Sequence, residues 1–221
     1  MTDLDLEQRL ARLEAVHAVQ NLVGRYEFWH VANLHRKCLQ LFALETPGVK
    51  IEMDWGVFDG RAGVERFFLG YHGGHEAEKP DYKPDGGMHL HTQTTPVIEV
   101  ADDGQTAKGV WISPGNETIP LGPNGSMKAF WIWIKYGFDF VRENGEWKIW
   151  HMSVHCIFMC PYETSWVDME PLPPRRQMPP EIGPDRYLPS PPPWRYATDK
   201  PQVNIPAPPE PYATFDNAKS Y

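Results

Sequence analysis

Met88-His89-Leu90-His91-Thr92-Gln93 places two imidazoles two residues apart. In an extended strand residues i and i+2 project to the same side, so His89 and His91 face one way, with Gln93 behind them. An imidazole titrates near neutral pH, which makes the pair a candidate proton-transfer unit. Each would also need its own hydrogen-bond partner if buried, so two together are harder to explain as plain core. Tyr26 and His30 form a second pair. They stand at i and i+4 on a helix and share a face, where a phenol beside an imidazole can relay a proton. His151 and His155 form a third pair, with Cys156 and Cys160 after them. Together with His89 and His91 they could supply a metal site, but no acidic ligand stands at a matching spacing, and no metal is expected. His17 and His35 read as surface helix residues, and His72 and His75 as solvated members of a Gly-rich loop.

The elements that must position these side chains follow from periodicity. Thr2 or Asp3 can cap a helix whose apolar residues fall at Leu6, Leu10, Leu13, Val16, Val19, Leu22 and Val23, running on towards His30. A second helix is predicted over Leu34–Leu44, a strand over Val49–Met53, a turn at Asp59-Gly60-Arg61 and a short helix over Ala62–Leu69. Tyr71–Gly87 is polar and rich in Gly and Pro, so it reads as a loop. The histidine strand then runs unbroken to Val100 and turns at Asp102-Asp103-Gly104 into Thr106–Ser113. Pro114–Gly125 reads as a loop, Lys128–Arg142 as a long aromatic strand, and Glu143-Asn144-Gly145 as the turn into Trp147–Phe158. Helices first and an antiparallel meander afterwards indicate an α+β fold.

Of 23 prolines, 16 lie between Pro161 and Pro211, and proline supports neither a long helix nor a central strand. The chain therefore divides into a domain over residues 1–160 and an extended arm over 161–221. The arm keeps Trp166, Tyr187, Trp194, Tyr196, Tyr212 and Phe215, too many aromatics for a free linker, so it is expected to lie over its own domain or a neighbouring subunit. A formal charge of −8 argues against nucleic acid or an anionic membrane as partner. Three cysteines make no disulfide framework, and neither a signal peptide nor a membrane span is recognisable, so a cytoplasmic location is expected. Phosphate loops, nucleophile elbows and dinucleotide fingerprints are missing, which leaves no nucleotide cofactor to expect.

The order of these elements resembles a known family. Gly24-Arg25-Tyr26 at the end of the first helix, Leu41-Phe42-Ala43, Asp59-Gly60-Arg61-Ala62-Gly63-Val64, the His91 strand and Gly145-Glu146-Trp147-Lys148-Ile149 look like the SnoaL-like branch of the nuclear transport factor 2-like superfamily, over roughly residues 5 to 160. The resemblance implies a cone-shaped α+β barrel, in which a curved sheet wrapped by helices encloses a deep pocket. It also implies side-chain acid–base chemistry without a cofactor, as in scytalone dehydratase, ketosteroid isomerase, polyketide cyclases and bile-acid 7α-dehydratase, and a homo-oligomer, dimer or trimer. On the bile-acid dehydratase pattern the helical Tyr falls on Tyr26, the strand His on His91 and the following Trp on Trp111. The pattern's two Asp positions are Val31 and Gly115 here, and its Arg is Cys156. A steroid thioester is thus not the expected substrate, and no carboxylate is expected behind His91.

The reading that results is a cofactor-independent lyase acting on a small hydroxylated aromatic. His91, assisted by Tyr26, carries the acid–base step, with His89 and His30 tuning protonation. Trp111, Trp133, Phe138, His151 and His155 line the pocket. The diarylpropane lyases of lignin-dimer breakdown, which release formaldehyde, are the branch these hints resemble. The alternatives are an isomerase or cyclase on the same scaffold, a non-catalytic binding module, and a metal-dependent enzyme. Tyr26 with His30 is expected to orient His91.

Overall fold

The computed structural model describes residues 5–73, 76–83, 86–121, 123–169 and 177–221. Helix α1 spans Leu6–Val31, α2 His35–Leu39 and α3 Gly60–Glu65, the last continuing as a π-helical turn over Arg66–Tyr71. The strands are β1 Lys50–Met53, β2 Gly56–Asp59, β3 Met88–His91, β4 Thr94–Val100, β5 Thr106–Ile119, β6 Lys128–Glu143, β7 Glu146–Pro161 and β8 Arg186–Tyr187. All eight form one sheet in the order β3-β5-β6-β7-β1-β2-β8, with β4 beside β3 on the same edge of β5. The β1–β7 contact is parallel and the remaining pairs are antiparallel. This is the α+β architecture expected, a curved sheet with the long helix packed on its inner face. Among the described residues no helix is long and apolar enough to cross a membrane.

Asp5 caps α1 through a reciprocal capping box with Gln8; the expected caps Thr2 and Asp3 lie outside the described residues. The helix buries Ala15, Val19, Leu22, Val23, Tyr26 and His30 on one stripe. Leu6, Leu10 and Leu13, expected to begin that stripe, are 79%, 54% and 68% exposed. Ala15, Val19 and Leu22 each stand nine residues after one of these leucines, and nine residues at about 100° each is a half-turn in net direction. The two apolar runs therefore occupy opposite faces of one helix.

Three element boundaries differ from the sequence expectation for local reasons. Helix α2 stops at Leu39 because the chain beyond it pairs with β7: the Ala43 N–H donates to the Ile149 carbonyl, and the Ile149 N–H to that of Leu41. The histidine strand is broken at Thr92-Gln93, and Thr95, at φ 52°, shifts the register of β4. Opposite that break, Pro114 sits inside β5, which runs on to Ile119 where a loop was expected. The Thr92 hydroxyl donates to the Pro114 carbonyl, so proline's missing N–H falls at the gap in the neighbouring strands. Strand β2 was not anticipated, and α3 begins at Gly60, two residues earlier than expected.

Core side chains from β5, β6 and β7 alternate between the two faces of the sheet. Phe138, Phe140, Trp111 and Met152 point towards α1 and join the cluster around Tyr26 and Phe42. On the outer face Lys108, Asp139 and His151 stand in cross-strand register, and the arm covers them. Asp139 is fully buried and accepts from Lys108 Nζ (2.5 Å), His151 Nδ1 (2.8 Å), Ser220 Oγ (2.9 Å) and the Tyr221 N–H (2.9 Å). Burial alone would raise this carboxyl, but His151 and Lys108 outweigh it and hold Asp139 below the ordinary carboxylate range. Lys108 lies between the rings of Phe215 and Tyr221, and the Tyr221 ring covers Gly137, where a side chain would collide with it. Further along the arm, Arg195 and the Trp194 indole bind the Asp54 carboxylate. The described arm thus packs on its own chain.

Removing residues 216–221 takes two donors from Asp139 and a carbonyl and a ring from Lys108. It is expected to lower the unfolding free energy by about 1–3 kcal/mol in urea titrations; an unchanged midpoint would make the arm's end an ornament.

Candidate active site

Cross-strand pairing sets the centre of the site. His89 on β3 lies directly opposite Glu117 on β5, and His91 lies opposite Gly115, one pleat away on the same face. His91 Nε2 is 3.2 Å from Glu117 Oε1, and His89 Nδ1 is 4.0 Å from the same oxygen. A Cβ at position 115 would collide with the Leu90 carbonyl and stand 3.1 Å from His91 Nδ1, so glycine is required for the histidine to sit this close to β5. Burial would raise the Glu117 carboxyl, yet the two adjacent histidines outweigh that penalty and bring it down to about 2. Glu117 is an anion held between two imidazoles.

A second carboxylate approaches from α1. Glu27 Oε1 accepts the His91 backbone N–H at 2.9 Å, while Oε2 is buried with no partner. Burial pushes this carboxyl up to about 7, against the lowering effect of His91. His30, one turn further along α1, stacks on Tyr26 (centroids 5.5 Å, planes 7° apart) and on His91 (6.1 Å), and meets His72, His35 and His89. Burial, with the neighbouring histidines, holds His30 well below the usual imidazole range, so it is neutral. The same burial keeps the Tyr26 phenol protonated. Beside this cluster is a cavity of about 170 Å³, whose wall includes Tyr71, His72, His89, Thr118 and Ile119.

The fold therefore brings together His30, His89, His91 and Tyr26, and adds Glu117, Glu27, His35 and His72. His35 is buried against His72 (4.7 Å), where a surface position was expected, and His72 lines the cavity, where a solvated one was expected. His75 lies outside the described residues. Of the two β3 histidines, His89 is the one on the cavity wall, while His91 sits behind it with only 6% of its side chain exposed. The expectation that no carboxylate stands behind His91 is corrected: Glu117 lies against its ring and Glu27 holds its backbone N–H, while His30, stacked on Tyr26, packs on the same ring. Glu27 continues the buried i, i+4 series Val19, Val23, Glu27, which is the signal that could have found it. Glu117 was hidden by the assumption that Pro114 ends a strand.

The expected pocket lining is distributed differently. Trp111 and Phe138 pack edge to face at 5.3 Å inside the core, Phe138 against Tyr26, and neither reaches the cavity wall. His151, His155 and Trp133 are on the outer face: His151 on Asp139 and Phe215, His155 on Ser153 and Trp194, and Trp133 on Phe158. The four-histidine metal set that combined His151 and His155 with β3 is not assembled, because the sheet separates its halves.

With this geometry in view, comparison with known proteins is decisive at the level of family: the SnoaL-like domain model matches residues 11–153. The chain belongs to the SnoaL-like domain family. Similar solved structures include LinA, at 13% identity and a TM-score of 0.53 over 71% of this chain and 95% of that one. The hexachlorocyclohexane dehydrochlorinase LinA-type3 of Novosphingobium barchaimii LL02 is 15% identical, with a TM-score of 0.51 over 75% of this chain and 99% of that one. A scytalone dehydratase-like protein of Novosphingobium aromaticivorans is 12% identical, with a TM-score of 0.51 over 69% and 91%. At these identities the likeness is one of fold. Among curated proteins none matches the sequence. The arm lies beyond the matched residues.

Glu27 carries a pH signature. Its carboxyl ionises near 4.5 when unfolded and near 7 when folded, so the folded chain holds an extra proton in between and loses stability as pH rises through that window. Glu27→Gln keeps the acceptor for the His91 N–H and removes this loss. Its stability relative to the native chain should be greater at pH 8 than at pH 5 in urea unfolding; a pH-independent difference would contradict a buried, neutral Glu27.

Proposed function

We propose that this protein is a cofactor-independent acid–base lyase acting on a small hydroxylated aromatic. The observation that carries the reading is the His89–Glu117–His91 array beside the cavity. One imidazole meets the substrate, an ionised carboxylate stands next to it, and a second imidazole is buried behind. Such an array can take a proton from a substrate hydroxyl at His89 and stabilise the resulting imidazolium through Glu117. His72, also on the wall, is placed to protonate a departing hydroxyl. A cavity of about 170 Å³ accepts one aromatic ring, so a two-ring substrate would insert one and leave the other at the mouth.

For a lignin-derived diarylpropane with a phenolic ring the chemistry balances without a cofactor. The phenol's proton passes through the wall histidines to the benzylic hydroxyl, which departs as water and leaves a quinone methide. His89 then takes the proton of the neighbouring hydroxymethyl group. The O–H electrons become the carbonyl of formaldehyde, and the cleaved C–C pair restores the aromatic ring and forms an alkene. Simple dehydration stops earlier and uses the same acid and base. A non-catalytic binding module is disfavoured by the concentration of buried titratable groups at the cavity, which such a module does not need.

Incubation with hydroxylated aromatic monomers and dimers, followed for formaldehyde and for a new C=C absorbance, tests the class. His89→Ala and His91→Ala should each lower turnover by about 10²–10⁴ with the circular dichroism unchanged. Full turnover in both would remove the array from the mechanism.

A further inference from the structure

One ring nitrogen each of His89 and His91 and one Glu117 carboxylate oxygen all lie within 4.8 Å of one another. Both histidines are directed at the same oxygen, Oε1, at 4.0 and 3.2 Å. An imidazole–carboxylate hydrogen bond needs one such approach; two imidazole nitrogens and a carboxylate oxygen gathered this closely are also the ligand set of a shared cation. Bonds of about 2.0–2.2 Å to a common ion put neighbouring ligand atoms roughly 3–3.6 Å apart. The His91–Glu117 edge, at 3.2 Å, already has that length, and the His89–Glu117 edge is 4.0 Å. We propose that His89, His91 and Glu117 form a site for one divalent transition-metal ion, a property beyond the acid–base reading of the same residues.

Two features of the fold support the site. The ligands sit on two paired strands, β3 and β5, and their register is pinned by the Glu27 carboxylate on the His91 N–H and by the close fit of His91 over Gly115. Rigid strands hold ligands more precisely than loops do. The cavity beside His89 provides an entry path and room for water or substrate at the remaining coordination positions. Two imidazole nitrogens and one carboxylate oxygen select Zn²⁺, Co²⁺ or Fe²⁺ over the all-oxygen preference of Mg²⁺ and Ca²⁺.

The ion and the proton relay use the same lone pairs, so each excludes the other. A bound ion occupies His89 and His91, stops them from exchanging protons, and puts a Lewis acid at the cavity wall.

The test is a calorimetric titration of Zn²⁺ into the full chain after EDTA treatment and desalting, repeated with Co²⁺ while following its visible absorption. One equivalent per chain is expected. Affinity should fall at least about 100-fold in Glu117→Gln and in His89→Ala, and stay unchanged in His17→Ala, which alters an exposed histidine. Circular dichroism of each variant checks that the fold survives. Absence of saturable binding by the native chain, or equal affinity in Glu117→Gln, overturns the proposal. Turnover by the EDTA-treated protein is a separate measurement that bears on the acid–base reading alone, so the two ideas can fail independently.

Discussion

A carboxylate that stays ionised inside a protein must be met by positive charge or by donors, and Glu117 is the one around which this fold is arranged at its open end. Its side chain is 14% exposed and lies beside His89 and His91. Meeting that requirement dictates much of the local architecture. Strand β5 must continue past Pro114 to carry the carboxylate, and β3 must pair with it in the one register that puts His89 opposite Glu117. Position 115 must be glycine to admit His91. Shifting β3 by a single residue would turn both imidazoles to the wrong face and leave a buried anion unmet.

The sheet contains a second buried polar cluster, and the contrast between the two is informative. Lys108, Asp139 and His151 on the outer face have their polar atoms met by Ser220, the Tyr221 N–H and the Lys219 carbonyl, and aromatic rings of the arm close over them. That cluster is sealed by the chain's own end. The inner cluster keeps buried polar atoms without partners, at Glu27 Oε2, His30 Nδ1 and His91 Nδ1, and opens to a cavity through His89 and His72. Unmet polar atoms beside a cavity are what a reactive site retains and a structural one removes.

Much of this was legible in the residues. The helical spacing of Val19, Leu22 and Val23, with Tyr26 and His30 sharing a face, located the later part of the packed face of α1, and Asp102-Asp103-Gly104 and Glu143-Asn144-Gly145 located the hairpins. The His89/His91 pair marked the site's centre, and the order of elements pointed to the family. What periodicity could not carry were features decided by distant contacts. Pro114 reads as a breaker unless one knows that the strand beside it is interrupted at the same level, so Glu117 was assigned to a loop and its carboxylate went unseen. His35 and His72 looked like surface residues because each is judged alone in sequence, whereas they pack on one another and on His30, which buries His35 and partly covers His72. His151 and His155 fell on the far face because a register shift in the β6–β7 pairing after Asp139, with Trp150 as the extra residue, turns the following residues of β7 over. The leucines at the start of α1 extend a pattern that a half-turn of the helix carries away from the sheet.

The central claim is that Glu117 and His91 act as one unit, and a double-mutant cycle on unfolding free energy measures this without knowledge of the substrate. The native chain, His91→Ala, Glu117→Ala and the double variant would be unfolded in urea under one condition. The account predicts that the two single losses sum to more than the double loss by about 1–3 kcal/mol, because either truncation alone strands its partner in a buried site. Additivity within about 0.5 kcal/mol would contradict it, and Glu117 and His91 would then be neighbours without a shared role.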